Sequence, residues 1–306
     1  MRIVIALGGN ALGETPEKQK EMAKVTASYI VPIIKRGHDV IITHGNGPQV
    51  GLINLAFNEG GKINEKVYNM PFSECGAMSQ GYIGFHLQNA LSNELKKEGI
   101  KKDVVSIITQ VEVDINDEAF ASPSKPIGSF YTLEETKKLP YEFKEDSGRG
   151  YRRVIASPKP QKVIEMDAIK KMNESGYVVI TCGGGGIPVV KKNGDYFGVD
   201  AVIDKDFASS KLASDIDSDV LMILTAVDSC KINFNMPNEE KLGVVTVLQM
   251  KEYNLQGHFR AGSMKPKVEA CCDFVSKGKD RIAYITSIEK ALLALDGKCG
   301  TKIINN

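Results

Sequence analysis

The 306 residues are long enough to bury a large core, as one α/β domain or as two lobes. Charged residues make up 25%, and 39 Lys+Arg against 38 Asp+Glu leave a net charge of +1, a balance that points to neither a nucleic-acid nor a membrane partner. No apolar run approaches the roughly 20 residues of a membrane span, and a strand begins within two residues of the amino terminus, so no signal peptide is expected.

In chain order, the apolar residues 3–7 predict a buried strand ending in the turn Gly8-Gly9-Asn10. Thr15-Pro16-Glu17 has the form of an N-cap, a first-position proline and a first-turn acid, which predicts a helix to about Lys35 with Gly37 as its stop. Residues 40–43 predict a second strand, and its turn His44-Gly45-Asn46-Gly47-Pro48 feeds another helical stretch. Pro71 with Ser73-Glu74 opens a long helix to Lys97, and residues 104–113 are expected as a third strand. Residues 116–160 then sustain no period. They predict a lid or inserted subdomain, mobile without substrate because its few apolar residues do not pin it.

A helix over residues 166–175 and a strand over 177–182 lead into the glycine run Gly183-Gly184-Gly185-Gly186. A hairpin over 189–199 turns at Lys192-Asn193-Gly194-Asp195, and a helix over 206–215 precedes a strong strand at 220–225. Helices near 247–253, 265–276 and 287–295, with a strand at 281–285, complete the chain. Strands alternating with helices predict an α/β fold with a mostly parallel sheet covered on both faces. The six cysteines include adjacent Cys271-Cys272 and no C-x-x-C pair, which suits reduced thiols in a cytoplasmic enzyme.

Three glycine turns at strand ends are the strongest chemical signal. Ligands of open α/β sheets bind beyond the carboxyl ends of the strands, and glycine lets backbone N–H groups approach an anion with no Cβ between them. Gly8, Gly9 and Asn10, then Gly45, Asn46 and Gly47, then Gly184 and Gly185 are therefore candidate phosphate contacts for a nucleotide with a second anionic substrate. The first of them is equally an ordinary strand-to-helix turn. A dinucleotide reading of the second turn is poor, because its spacing is G-x-G-x-x-x-G, Pro48 interrupts it, and no acid closes a following strand near Glu65.

Three lysines stand apart from the common surface lysine. Lys125 lies inside the irregular insert, Lys205 sits between Asp204 and Asp206 at a helix entry, and Lys265 follows Gly262-Ser263-Met264 at another. The helix dipole repels cations at that end, so lysine there makes more sense beside a bound anion. Asp206 either orients these lysines, holds Mg²⁺ through water, or is simply a cap. His38, His44, His86 and His258 have no metal-ligand spacing, and His44 is expected as a structural neighbour of the second turn.

Taken together, these segments resemble the carbamate kinase branch of the amino acid kinase family over nearly the whole length. The resemblance rests on Ala6-Leu7-Gly8-Gly9-Asn10-Ala11-Leu12, Thr43-His44-Gly45-Asn46-Gly47-Pro48-Gln49-Val50-Gly51, Lys125-Pro126-Ile127-Gly128, Tyr151-Arg152-Arg153-Val154, Ala201-Val202-Ile203-Asp204-Lys205-Asp206, Leu224-Thr225-Ala226-Val227-Asp228 and Gly262-Ser263-Met264-Lys265-Pro266-Lys267. Relatives such as N-acetylglutamate kinase carry a lysine before the first Gly-Gly, where this chain has Ala6. The carbamate kinase branch lacks that lysine and supplies another from a protruding subdomain, which maps to Lys125.

The resemblance implies a three-layer αβα sandwich, with residues 1–205 as the carbamate lobe, the subdomain at about 116–160 inserted in it, and residues 206–306 as the nucleotide lobe. It implies Lys125, Lys205, Asp206 and Lys265 as the catalytic set. Nucleotide contacts would come from Lys205, Thr225, Ala226, Val227, Asp228, Met264 and Lys265. The implied reaction is reversible phosphoryl transfer between ATP and carbamate, giving ADP and carbamoyl phosphate, with Mg²⁺ on the nucleotide. Use toward ATP in arginine breakdown through the arginine deiminase pathway, and a homodimer, follow from the family alone. An NAD-dependent oxidoreductase would rest on the second glycine turn alone. A non-catalytic sensor is disfavoured because every catalytic lysine position is filled.

Overall fold

The apolar run that opens the chain becomes the strand Arg2–Leu7, whose residues from Val4 on are completely buried. In the computed structural model, which describes residues 1–8, 13, 15–146 and 148–305, this strand lies inside an eight-stranded sheet. Across the sheet the order is Val244–Thr246, Thr301–Ile304, Ile282–Ser287, Val220–Thr225, Arg2–Leu7, Asp39–His44, Val178–Ile180 and Val104–Ser106. Every neighbouring pair is parallel except Ile282–Ser287 with Thr301–Ile304.

Strand alternation supplies both faces of the sandwich. Ile3, Ile5 and Leu7 pack with Ile30 and Ile33 of the helix Pro16–Lys35 and with Leu87 and Leu91 of Phe72–Lys97. Val4 and Ala6 point the other way, into a core with Leu212 of Lys205–Asp215 and Phe274 of Met264–Ser276. Thr15 caps the first long helix as expected, its hydroxyl accepting from the Lys18 N–H at 3.3 Å. The hairpin also forms, between Ile187–Lys192 and Asp195–Gly198, with Asn193 and Gly194 at positive φ. All six cysteines are free thiols, and all but Cys299 are buried.

Two expectations need correction. The single strand expected over 104–113 is two short ones: Val104–Ser106 in the main sheet and Gln110–Glu112 in a separate four-stranded sheet. The turn between them is bracketed by Gln80, whose side-chain oxygen accepts from the Thr109 N–H at 2.8 Å while its amide donates to Thr109 O and Gly183 O, each at 3.0 Å. The insert is also more ordered than its composition suggests. Lys125–Tyr131, Tyr151–Ile155 and Phe143–Glu145 form an antiparallel three-stranded sheet. Ile127 and Ile155 reach out of it to join Val50, Phe72 and Cys75 in a small core of their own, so few apolar residues suffice to seat it.

Candidate active site

Segments leaving the carboxyl ends of the central strands line a cleft of about 230 Å³. Gly45, Asn46 and Gly47 come from the second strand, Gly184 from the glycine run, and Asp204, Lys205 and Asp206 from the start of the helix Lys205–Asp215. A second cleft of about 350 Å³ shares Lys205, Gly262, Ser263 and Lys267 with the first and adds Gly8, Thr225, Ala226, Val227 and Met264. A third, of about 190 Å³, continues from Val227, Ser263 and Met264 to Phe234, His258, Phe259 and Arg260. The three form one elongated trough along the strand ends.

Two carboxylates organise its cations. Asp206 is buried, and its two oxygens accept separately from Lys205 and from Lys267, the latter at 2.8 Å. Burial alone would raise the Asp206 carboxyl, but the two ammonium groups outweigh it and hold the group at about 2. Burial pulls Lys205 below its usual value even though Asp206 favours the charged form. Asp204 works in two directions: one oxygen accepts from the Asp206 N–H at 2.9 Å as the helix cap, and the other accepts from Lys125 at 2.5 Å. Lys125 reaches there from the first strand of the small sheet. Three ammonium groups against two carboxylates leave a net positive cleft, suited to an anionic ligand.

The helix Met264–Ser276 adds to that polarity. It begins at the shared residues Gly262 and Ser263 and carries lysines but no acid in its first turn. Its backbone dipole and its first-turn charges therefore have the same sign at the cleft, an arrangement that a bound anion relieves.

Gly8, Gly45, Asn46, Gly47, Lys125, Gly184, Lys205, Asp206, Thr225, Ala226, Val227 and Met264 all line this trough. Gly9 and Asn10 lie outside the described residues. Three expected residues are placed elsewhere. Lys265 is half-buried and faces Glu269 at 3.9 Å, and Lys267 takes the position beside Asp206. On a helix, residues two apart point in nearly opposite directions. Both lysines have buried residues on their stripes, Cys271 and Phe274 for Lys267 and Val268 and Cys272 for Lys265, so the helical period alone does not choose between them. Asp228 turns to the surface and pairs with Lys290. Gly185 is buried against Ile203: a Cβ there would lie 2.2 Å from Ile203 O.

The glycine run makes room for protein as much as for ligand. A Cβ on Gly184 would sit 2.1 Å from Asn46 Nδ2, and one on Gly183 would sit 2.5 Å from His44 Nε2. The run thus closes onto the second turn, where Asn46 also donates to Ser79 Oγ at 2.8 Å. His44 is a structural neighbour, as its position suggests. It is fully enclosed, its Nδ1 lies 2.8 Å from Gly45 O, and burial with the Lys205 charge lowers its pKa to about 4. The imidazole is neutral at pH 7 and donates from Nδ1 to that carbonyl.

Residues 1–287 match the family model of the amino acid kinase family. The chain is 53% identical over 306 residues to a carbamate kinase of Staphylococcus haemolyticus, with 99% of each chain covered. It is 50% identical over 313 residues to one from Clostridium perfringens, covering 99% of this chain and 100% of that one. A carbamate kinase from Giardia lamblia bound to AMP-PNP has the same fold at a TM-score of 0.92 and 41% identity, covering 100% of this chain and 98% of that chain. The chain therefore belongs to the amino acid kinase family, within its carbamate kinase branch, and is a phosphotransferase.

Proposed function

We propose that this chain catalyses ATP + carbamate ⇌ ADP + carbamoyl phosphate. The observation that carries the reading is the convergence of Lys125, Lys205 and Lys267 on Asp204 and Asp206, where two adjoining clefts share Lys205 and Lys267. The shared residues stand where the γ-phosphoryl group would pass between nucleotide and acceptor. The nucleotide then occupies the trough from Gly8 and Thr225 toward the apolar Val227, Met264 and Phe234, and carbamate lies beside Gly45, Gly47 and Lys125.

A carbamate oxygen attacks the γ-phosphorus while the bond to the β,γ-bridging oxygen breaks, and that electron pair leaves on ADP. The nucleophile is already an anion, so no general base is needed. What the protein supplies is alignment and neutralisation of two mutually repelling anions. Asp206 holds Lys205 and Lys267 in fixed positions before substrate arrives, and Lys125 closes the acceptor side. Mg²⁺ entering with the nucleotide would neutralise phosphate charge. Since both Asp206 oxygens are committed to lysines, this carboxylate serves as their organiser, and the ion would rely chiefly on phosphate oxygens.

The same reading includes a cytoplasmic homodimer making ATP during arginine breakdown through the arginine deiminase pathway, by resemblance to the family. Among the described residues no helix is long and apolar enough to cross a membrane. Light scattering tests the dimer.

The activity test is ATP formation from MgADP and carbamoyl phosphate. Lys267→Met should lower turnover by roughly 10²–10³, the scale of removing one transition-state donor, with some loss of melting temperature because the buried Asp206 loses one of its two partners. Lys265→Met should stay near wild type. Absence of ATP formation by the wild-type protein overturns the reaction, and tight NADH binding without MgADP binding would favour an oxidoreductase instead. A strong defect in Lys265→Met with a normal Lys267→Met overturns the site.

A further inference from the structure

The helix Gly47–Ile63 carries a glycine at position 51 although glycine there is disfavoured relative to alanine by roughly 1 kcal/mol. Gly51 is buried, and the reason it must be glycine is steric. A Cβ on it would lie 2.3 Å from Gly128 Cα and 2.6 Å from Gly128 N, distances no real Cβ tolerates. Gly128 belongs to Lys125–Tyr131, the strand that begins with the lysine held by Asp204. Helix backbone and strand backbone therefore meet with no side chain between them, three residues from Lys125. The contact is asymmetric: a Cβ on Gly128 would have only Gly51 Cα within reach, at an ordinary 3.9 Å. What restricts Gly128 is its φ of +67°.

We infer that Gly51 is a positioning residue for the phosphoryl transfer: its bare backbone seats the small sheet close enough to bring Lys125 into the cleft. The contact sits beside the apolar seat of Ile127 and Ile155 on Val50, Phe72 and Cys75, which brings the sheet and helix together but does not set their spacing to a fraction of an ångström. Any side chain at position 51 pushes the strand outward. Lys125 spans the gap from that strand to Asp204 at 2.5 Å, so an outward shift of the strand is transmitted to its ammonium group. A displacement of about 1 Å at a reacting centre lowers rates by roughly 10².

This inference rests on the catalytic reading of Lys125, and the experiment separates the two. ATP formation is measured for wild type, Gly51→Ala, Gly128→Ala, Lys125→Ala and the double variant Gly51→Ala/Lys125→Ala, with melting temperature and far-UV circular dichroism for each. Gly51→Ala should lower turnover roughly 10- to 10²-fold with KM for MgADP unchanged and only a small loss of melting temperature, because the gain in helix propensity offsets part of the clash with the Gly128 backbone. Gly128→Ala, which adds backbone strain without the clash, should lose less turnover and more stability. In the Lys125→Ala background, Gly51→Ala should cause no further loss.

Normal turnover in Lys125→Ala removes the catalytic reading and this inference with it. Impaired Lys125→Ala with normal Gly51→Ala overturns the inference alone. So does a Gly51→Ala defect that multiplies with that of Lys125→Ala. Should Gly51→Ala fail to fold, Ile127→Ala loosens the same seat without a clash, and its turnover loss should likewise vanish in the Lys125→Ala background; persistence of that loss overturns the inference.

Discussion

The second glycine turn and the glycine run look alike in the sequence, each following a buried parallel strand, yet they serve opposite partners. Gly47 faces open space, and a Cβ on Gly45 would meet only the flexible Lys205 side chain, at 3.3 Å. In the glycine run, by contrast, an added Cβ would lie 2.1 Å from Asn46 at Gly184, 2.2 Å from Ile203 O at Gly185 and 2.3 Å from Val111 Cγ2 at Gly186. The second turn presents backbone to the cleft, while the run, of which Gly184 also lines the cleft, packs mainly on the protein. Glycine marks close approach in both, and the sequence does not say what approaches.

Three substitutions put that difference to the test, and the largest effect belongs to the run. Gly185→Ala places a Cβ against a backbone carbonyl that has nowhere to move, at a φ of +92°. Conformational strain of roughly 1–2 kcal/mol and overpacking of roughly 1–3 kcal/mol should together lower stability by about 2–5 kcal/mol in urea denaturation. A variant as stable as wild type would show that the run is not closed onto its neighbours.

His44 lies between the two regions, its Nδ1 on Gly45 and its Nε2 against Gly183, and gives the next effect. Its folded pKa of about 4 lies below the unfolded value of 6.5, so the unfolded chain takes up the proton first as pH falls. The stabilisation is complete above pH 6.5 and is lost progressively between 6.5 and about 4, to a total of about 3 kcal/mol. Urea midpoints at pH 7 and pH 4.5 should therefore diverge more in wild type than in His44→Gln. Equal divergence in both would mean that the ring is solvated and the junction between the turns is open.

Gly47→Ala should have the smallest effect on the fold. With nothing within 4 Å of the new methyl group, the unfolding midpoint should stay within experimental error. KM for carbamoyl phosphate should rise, by about tenfold if one amide contact worth roughly 1.4 kcal/mol is obstructed. Unchanged kinetics would mean that this turn, like Gly185 and Gly186, serves the protein alone.

Much of the architecture was legible because it is local. The buried runs at Arg2–Leu7 and Val220–Thr225, the capped helix Pro16–Lys35 and the Asn193-Gly194 hairpin each announce themselves within a few residues. The insert was legible as an insert, but its strands were not. Its strands draw their burial from Val50, Phe72 and Cys75, residues distant in sequence, so no internal period reveals them. Residues 104–113 carried an apolar pattern long enough for one strand, but Gln80 pins the backbone at Thr109 and divides it.

The sequence by itself determined where strands end, which turns need glycine, and that Lys125 and Lys205 stand apart from ordinary surface lysines, because backbone sterics, hydrophobic periodicity and the helix dipole act over one or two turns of chain. Only the tertiary structure decided that Lys267 and not Lys265 meets Asp206, that the glycine run packs on Asn46 and Ile203, and that Gly51 faces Gly128. A helix's period defines its faces without choosing among them. The choice falls to the neighbouring element that buries one face, and that neighbour is set by the packing of segments far apart in the chain.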